Sequence, residues 1–65
     1  MGIGEMCKQF RREHGYLQKD VAIDTGYSFE NVSAFENGRN DNGRIFLWYL
    51  LKGLNVKDYE VDVNG

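Results

Sequence analysis

No proline occurs in the 65 residues, and there is one cysteine, one histidine and no excess of positive charge. Each scarcity removes something. Without proline, the breaks between segments fall to glycine. The eight glycines mark the termini and the joints between short segments, which suits an all-α chain with brief connections. Cys7 alone excludes an internal disulfide, and one histidine beside it leaves no cluster of soft ligands, so no metal is expected. No apolar run approaches the ~18 residues of a membrane span, and the opening MGIGEMCKQF carries charges where a signal peptide needs an apolar stretch. A cytoplasmic setting without membrane contact is expected. There is no glycine-rich phosphate loop, no metal-ligand spacing and no nucleophile–base pair, so neither enzymatic activity nor a cofactor is expected.

The missing basic excess is the awkward feature for any nucleic-acid binder, since eight basic residues face ten acidic ones for a net charge of −2. Its distribution softens the objection. Through Lys52 the chain balances Lys8, Arg11, Arg12, Lys19, Arg39, Arg44 and Lys52 against Glu5, Glu13, Asp20, Asp24, Glu30, Glu36 and Asp41. The deficit comes from the end, where Lys57 faces Asp58, Glu60 and Asp62. A neutral body can present a local basic rim, because phosphate contacts depend on placement within a Debye length of ~8–10 Å.

Along the chain, Ile3, Met6, Cys7 and Phe10 recur at helical spacing and predict a first amphipathic helix over about residues 3 to 13, closed by Gly15. Cys7 lies on the buried stripe, and His14 stands where an imidazole meets the negative end of the helix dipole. Lys8 and Arg12 project away from the stripe. The stretch Tyr16 to Gly38, YLQKDVAIDTGYSFENVSAFENG, then reads as two short helices about a tight turn. Val21 and Ala22 face inward on the first, Gly26 allows a positive φ in the turn, Tyr27 packs beneath it, and Ser28 caps the second with Asn31 three residues on. Val32 and Phe35 are the buried pair of that second helix, and Gly38 stops it. This is the helix-turn-helix pattern, whose second helix is shaped to enter a DNA major groove.

These residues carry a resemblance. Gln18, Val21, Ala22, Thr25, Gly26, Tyr27, Ser28, Val32, Ser33, Phe35, Glu36, Asn37, Gly38 and Arg39 together resemble the Cro/C1-type (XRE, lambda-repressor-like) helix-turn-helix family over about residues 3 to 56. The resemblance implies a compact five-helix domain over residues 1–57, with the motif at about 17–36, that binds double-stranded DNA as a homodimer. Residues 58–65 would form a tail. It further implies an ion pair between Arg11 and Glu36; the alternative is two separately solvated charges. At the start of the motif's first helix the family usually carries Thr, Ser or Asn as cap, where this chain has Leu17.

The expected base-facing positions are Ser28, Phe29, Glu30, Ser33 and Ala34. Glu30 can accept from a cytosine amino group, and Phe29 or Ala34 can touch a thymine methyl, though Glu30 also repels phosphate. Backbone contacts are expected from Gln18, Lys19, Asn37, Arg39, Asn40, Asn42 and Arg44. In the following IFLWYLLKGL, Phe46, Leu50 and Leu54 are expected in the core. Leu47, Trp48, Tyr49 and Leu51 leave more apolar surface than a small domain covers, and are expected at a dimer interface. A fifth helix is expected near Asn55, with Val56 and Tyr59. The segment KDYEVDV that follows is either a strand pairing with a partner chain or a disordered end. Two functions follow: a repressor-like transcriptional regulator on a short palindromic operator, or a protein-interaction module, antirepressor or antitoxin-like, using the same fold.

Overall fold

The computed structural model describes residues 1–62. Four α-helices, α1 (Ile3–Glu13), α2 (Gln18–Thr25), α3 (Phe29–Glu36) and α4 (Gly43–Leu51), are followed by one 3-10 turn, Val56–Asp58, and there is no strand among the described residues. The architecture is all-α with four helices where five were expected. Asn55 accepts from the Lys57 N–H at 3.0 Å, and the Tyr59 N–H closes onto the Val56 carbonyl at 3.1 Å, which completes a single turn. Tyr59 itself has extended backbone, so nothing propagates the turn into a helix.

α1 buries Met6, Cys7 and Phe10, whereas Ile3, expected on the same stripe, is exposed. The position that decides how α1 sits is Gly4. A Cβ there would come 2.7 Å from the Glu36 carbonyl oxygen and closer still to that of Phe35, so α1 crosses the C-terminal turn of α3 at a spacing only glycine permits. The joint-marking role expected of the glycines therefore fails at Gly4, which is inside a helix. At the other end of α1, His14 Nδ1 lies 2.9 Å from the Phe10 carbonyl oxygen, and its ring stands 4.1 Å from the Phe10 ring.

α2 ends as its sequence requires. Gly26 has φ +78°, in the left-handed region, and its N–H bonds the Ala22 carbonyl at 2.9 Å. Two residues on, Ser28 Oγ accepts the Asn31 N–H at 3.2 Å and starts α3. The start of α2 is different, because Leu17 offers no acceptor. Only the return half of a capping box exists, the Asp20 carboxylate accepting the Leu17 N–H at 2.8 Å.

Val21, Val32 and Phe35 meet Met6, Cys7 and Phe10 in one core, closed by Ile45, Trp48, Tyr49 and Leu54. α4 is thus turned by about one residue from the expected face. Ile45, Trp48 and Tyr49 point inward at i, i+3 and i+4, Phe46 is half-buried and Leu50 is partly exposed. Polar partners explain the rotation. The Trp48 indole N–H donates to Asp24 at 2.8 Å and the Tyr49 hydroxyl donates to Glu36. Trp48 and Tyr49, expected at a dimer interface, instead face the core. They are 6% and 0% exposed, held within their own chain.

The end of the chain is neither a strand nor free among the described residues. The Asp62 N–H bonds the Met1 carbonyl at 2.8 Å, the Tyr59 hydroxyl donates to Glu13 at 2.8 Å, and Val61 packs against the core. Val63, and with it the last three positions of the expected tail, lies outside the described residues.

Candidate nucleic-acid interface

The helix-turn-helix is anchored from beneath by one buried carboxylate. Glu36, at the last turn of α3, takes Arg11 Nε on Oε2 at 2.8 Å and Arg11 Nη2 on Oε1 at 3.2 Å, a two-point pair reaching across from α1. Gln18 Nε2 donates to Oε1 at 3.0 Å from the start of α2, and Tyr49 donates to Oε2 from α4. All four helices thus meet at Glu36. The remaining Arg11 nitrogen, Nη1, donates to the Tyr16 carbonyl at 3.0 Å, and no buried side-chain polar atom among the described residues is left without a partner.

Burial alone would raise the Glu36 pKa. The hydrogen bonds from Arg11, Tyr49 and Gln18, with the Arg11 charge, overcome it and hold the carboxyl below its usual value. The Arg11 guanidinium is raised by its bond to Glu36, and the Tyr49 hydroxyl is pushed up by burial and by donating to that carboxylate. Burial, with the Glu36 charge nearby, also pushes the Cys7 thiol up to about 12, so it is an inert core group rather than a nucleophile.

On the outer face of α3, Ser28, Phe29 and Glu30 are exposed and Ser33 and Ala34 are half-buried. They face away from Val32 and Phe35. The Ser28 oxygen is committed to its cap, while Asn37 Nδ2 lies 3.4 Å from Ser33 Oγ at the far end of the same surface. Beyond it, Arg39 and Arg44 are exposed, and neither is in an ion pair among the described residues.

Three of the expected backbone-contact residues have structural work instead. The Gln18 amide is occupied by Glu36. Asn42 Oδ1 caps α4, accepting the N–H groups of Arg44 at 3.0 Å and Ile45 at 3.1 Å, and Asn40 Oδ1 accepts the Asn42 N–H at 3.3 Å. Such bonds are the ordinary use of asparagine in a tight loop, and the composition of RNDNGR already signals it. Lys19, Arg39 and Arg44 remain available, and Asn37 partly so. The structure also draws Lys8 and Arg12 of α1 to the edge of Lys19 and Phe29, a grouping that needs the α1–α2 packing and has no trace in local sequence.

No family model matches the chain, and no solved structure does. Among curated proteins, an uncharacterized HTH-type transcriptional regulator of Sinorhizobium fredii, y4dJ, is 32% identical over 59 residues, which span 91% of this chain and 77% of the relative. No described helix is long and apolar enough to cross a membrane. The aligned span runs through the glycine turn, the capped second helix and the scaffold beneath them, and by that match the chain belongs to the HTH-type transcriptional regulators.

Proposed function

We propose that the chain is a sequence-specific DNA-binding repressor of the Cro/C1 (XRE) type, acting in the cytoplasm as a homodimer on a short palindromic operator. The observation that carries this reading is the outer face of α3. Phe29, Glu30, Ser33 and Ala34 stand free of the core on a helix whose position Gly26, Ser28 and the Glu36 network fix. Glu30 accepts from a cytosine amino group, and Phe29 and Ala34 contact thymine methyls. Lys19, Arg39 and Arg44 hold the phosphates on either side. The dimer forms through Leu47 and Leu51, which are 50% and 77% exposed on the outer edge of α4. No catalytic step and no cofactor belong to this function.

Selection of bound sites from a random duplex pool tests it. A recovered two-fold symmetric site is the expected result, because it reports sequence reading and dimerisation together. Recovery of no enriched site overturns it.

One observation favours a second reading, the protein-interaction module: Glu30 places a carboxylate where phosphates pass, beside an exposed Phe29. Under that reading the protein binds no random-sequence duplex even at low salt.

A further inference from the structure

The outer face of α3 offers a base edge few chemical groups. Phe29, Glu30, Ser33 and Ala34 supply one carboxylate, two apolar groups and a hydroxyl, with no amide and no guanidinium among the four. Glu30 is exposed and in no ion pair among the described residues. The side-chain bonds recorded on this face are the Ser28 cap and the contact between Asn37 and Ser33, so the Glu30 carboxylate is an acceptor still without a donor. Phe29 is 54% exposed, whereas Phe10, Phe35 and Phe46 pack in or against the core. One aromatic ring of four is thus left outside, on the first turn of α3 beside that carboxylate.

Helical spacing brackets Glu30 with carbon. Ala34 follows it by four residues and lies one turn further along the same row, while Phe29 flanks it from 100° round the helix. Ser33 and Ala34 are short, which leaves room above the carboxylate for the edge of a base.

The major-groove edges of the bases meet this set unequally. Cytosine gives Glu30 its N4 amino donor but leaves the apolar groups against a bare C5–H. Thymine gives them a methyl but sets its O4 acceptor against the carboxylate. Adenine offers an amino donor with the N7 acceptor beside it. A base that carries the amino donor at C4 and a methyl at the adjacent C5 satisfies the carboxylate and the apolar groups together.

We propose that the α3 face reads 5-methylcytosine in duplex DNA, Glu30 accepting from the N4 amino group while the Phe29 ring and the Ala34 methyl cover the C5-methyl of the same base. The inference rests on the DNA reading above and adds the modification state of the base to it.

Selection of bound sites from one random-sequence duplex library, synthesised once with cytosine and once with 5-methylcytosine, tests it. The site recovered is then labelled, and its affinity is measured by anisotropy with cytosine, 5-methylcytosine or thymine at each cytosine position in turn. At one position the methylated duplex should bind about fourfold more tightly than the cytosine duplex, the worth of one buried methyl. The thymine duplex should bind about tenfold or more weakly than the methylated one. Phe29→Ala, at an exposed position, should remove the preference for the methyl group. Glu30→Gln, whose amide donates to O4, should remove the discrimination against thymine, and it is the second variant should the first fold poorly. Far-UV circular dichroism checks the fold of each.

If the wild-type protein enriches a site but binds its cytosine and methylcytosine duplexes equally, or the methylated one more weakly, the methyl reading is wrong while the DNA reading stands. An enriched cytosine–thymine step that methylation does not improve assigns Glu30 and Phe29 to two neighbouring bases and overturns it in the same way. If neither library yields an enriched site, the DNA reading fails and the methyl reading with it.

Discussion

At the scale of single residues, Glu36 and Gly4 decide most. Glu36 is the acceptor for Arg11, Gln18 and Tyr49, so removing its charge leaves Arg11 buried without a counter-charge. Glu36→Gln is expected to cost about 3 kcal/mol in denaturant unfolding at neutral pH. The sign of the pH effect follows from the depressed pKa. The wild-type contribution is fully present above the unfolded carboxylate value and is lost as pH falls through the lower folded value. The stability gap between wild type and variant should therefore shrink in acid, below about pH 4.3; a gap that is constant down to pH 2 would remove Glu36 from that role. Gly4→Ala gives the opposite of what helix propensity suggests. In an exposed helix the change gains about 1 kcal/mol. Here the new Cβ meets the Phe35 and Glu36 carbonyls, and the expected result is a loss of about 1–3 kcal/mol or more in the same unfolding measurement.

At the scale of elements, local chemistry and tertiary chemistry separate cleanly. Gly26, Ser28, Val32 and Phe35 were legible because a turn, a cap and a helical stripe are written in neighbouring residues. The face of α4 was not. Its run of apolar residues offers several equivalent stripes, and the choice falls to Asp24 and Glu36, acceptors on other helices that the Trp48 indole and the Tyr49 hydroxyl must reach. The fifth helix fails for a related reason: Asn55 is a sound cap, but a cap starts a turn without guaranteeing propagation. In the candidate site, the exposed face of α3 follows from its periodicity, whereas the occupied amide of Gln18 and the approach of Lys8 and Arg12 to Lys19 need the folded α1–α2 pair. The start of α2 offers a direct check. Leu17 has the extended backbone of an N-cap, φ −102° and ψ 155°, without the oxygen. Leu17→Ser supplies it, and the thermal midpoint should rise by an amount equivalent to about 1 kcal/mol.

At the scale of the whole molecule, a chain of 65 residues encloses one small core, domains of that size tend toward the lower end of the ~5–15 kcal/mol range of stabilities, and the Glu36 network gives part of the buried volume to polar groups. Association is the general remedy for a small domain, and the homodimer proposed above would use apolar surface left on α4. Once Trp48 and Tyr49 are withdrawn into the core, Leu47 and Leu51 are left one helical turn apart on the outer edge of α4, away from the Glu36 network. A homodimer closed there couples folding to protomer concentration. The thermal midpoint of the wild-type protein should rise with concentration, and sedimentation velocity should show the dimer. Leu47→Lys/Leu51→Lys places like charges across the two-fold axis without entering the core. It should sediment as a monomer with a concentration-independent midpoint, and it should bind single half-sites only. A wild-type protein that is already monomeric, with a midpoint indifferent to concentration, would remove these leucines from an interface and with them the palindromic operator.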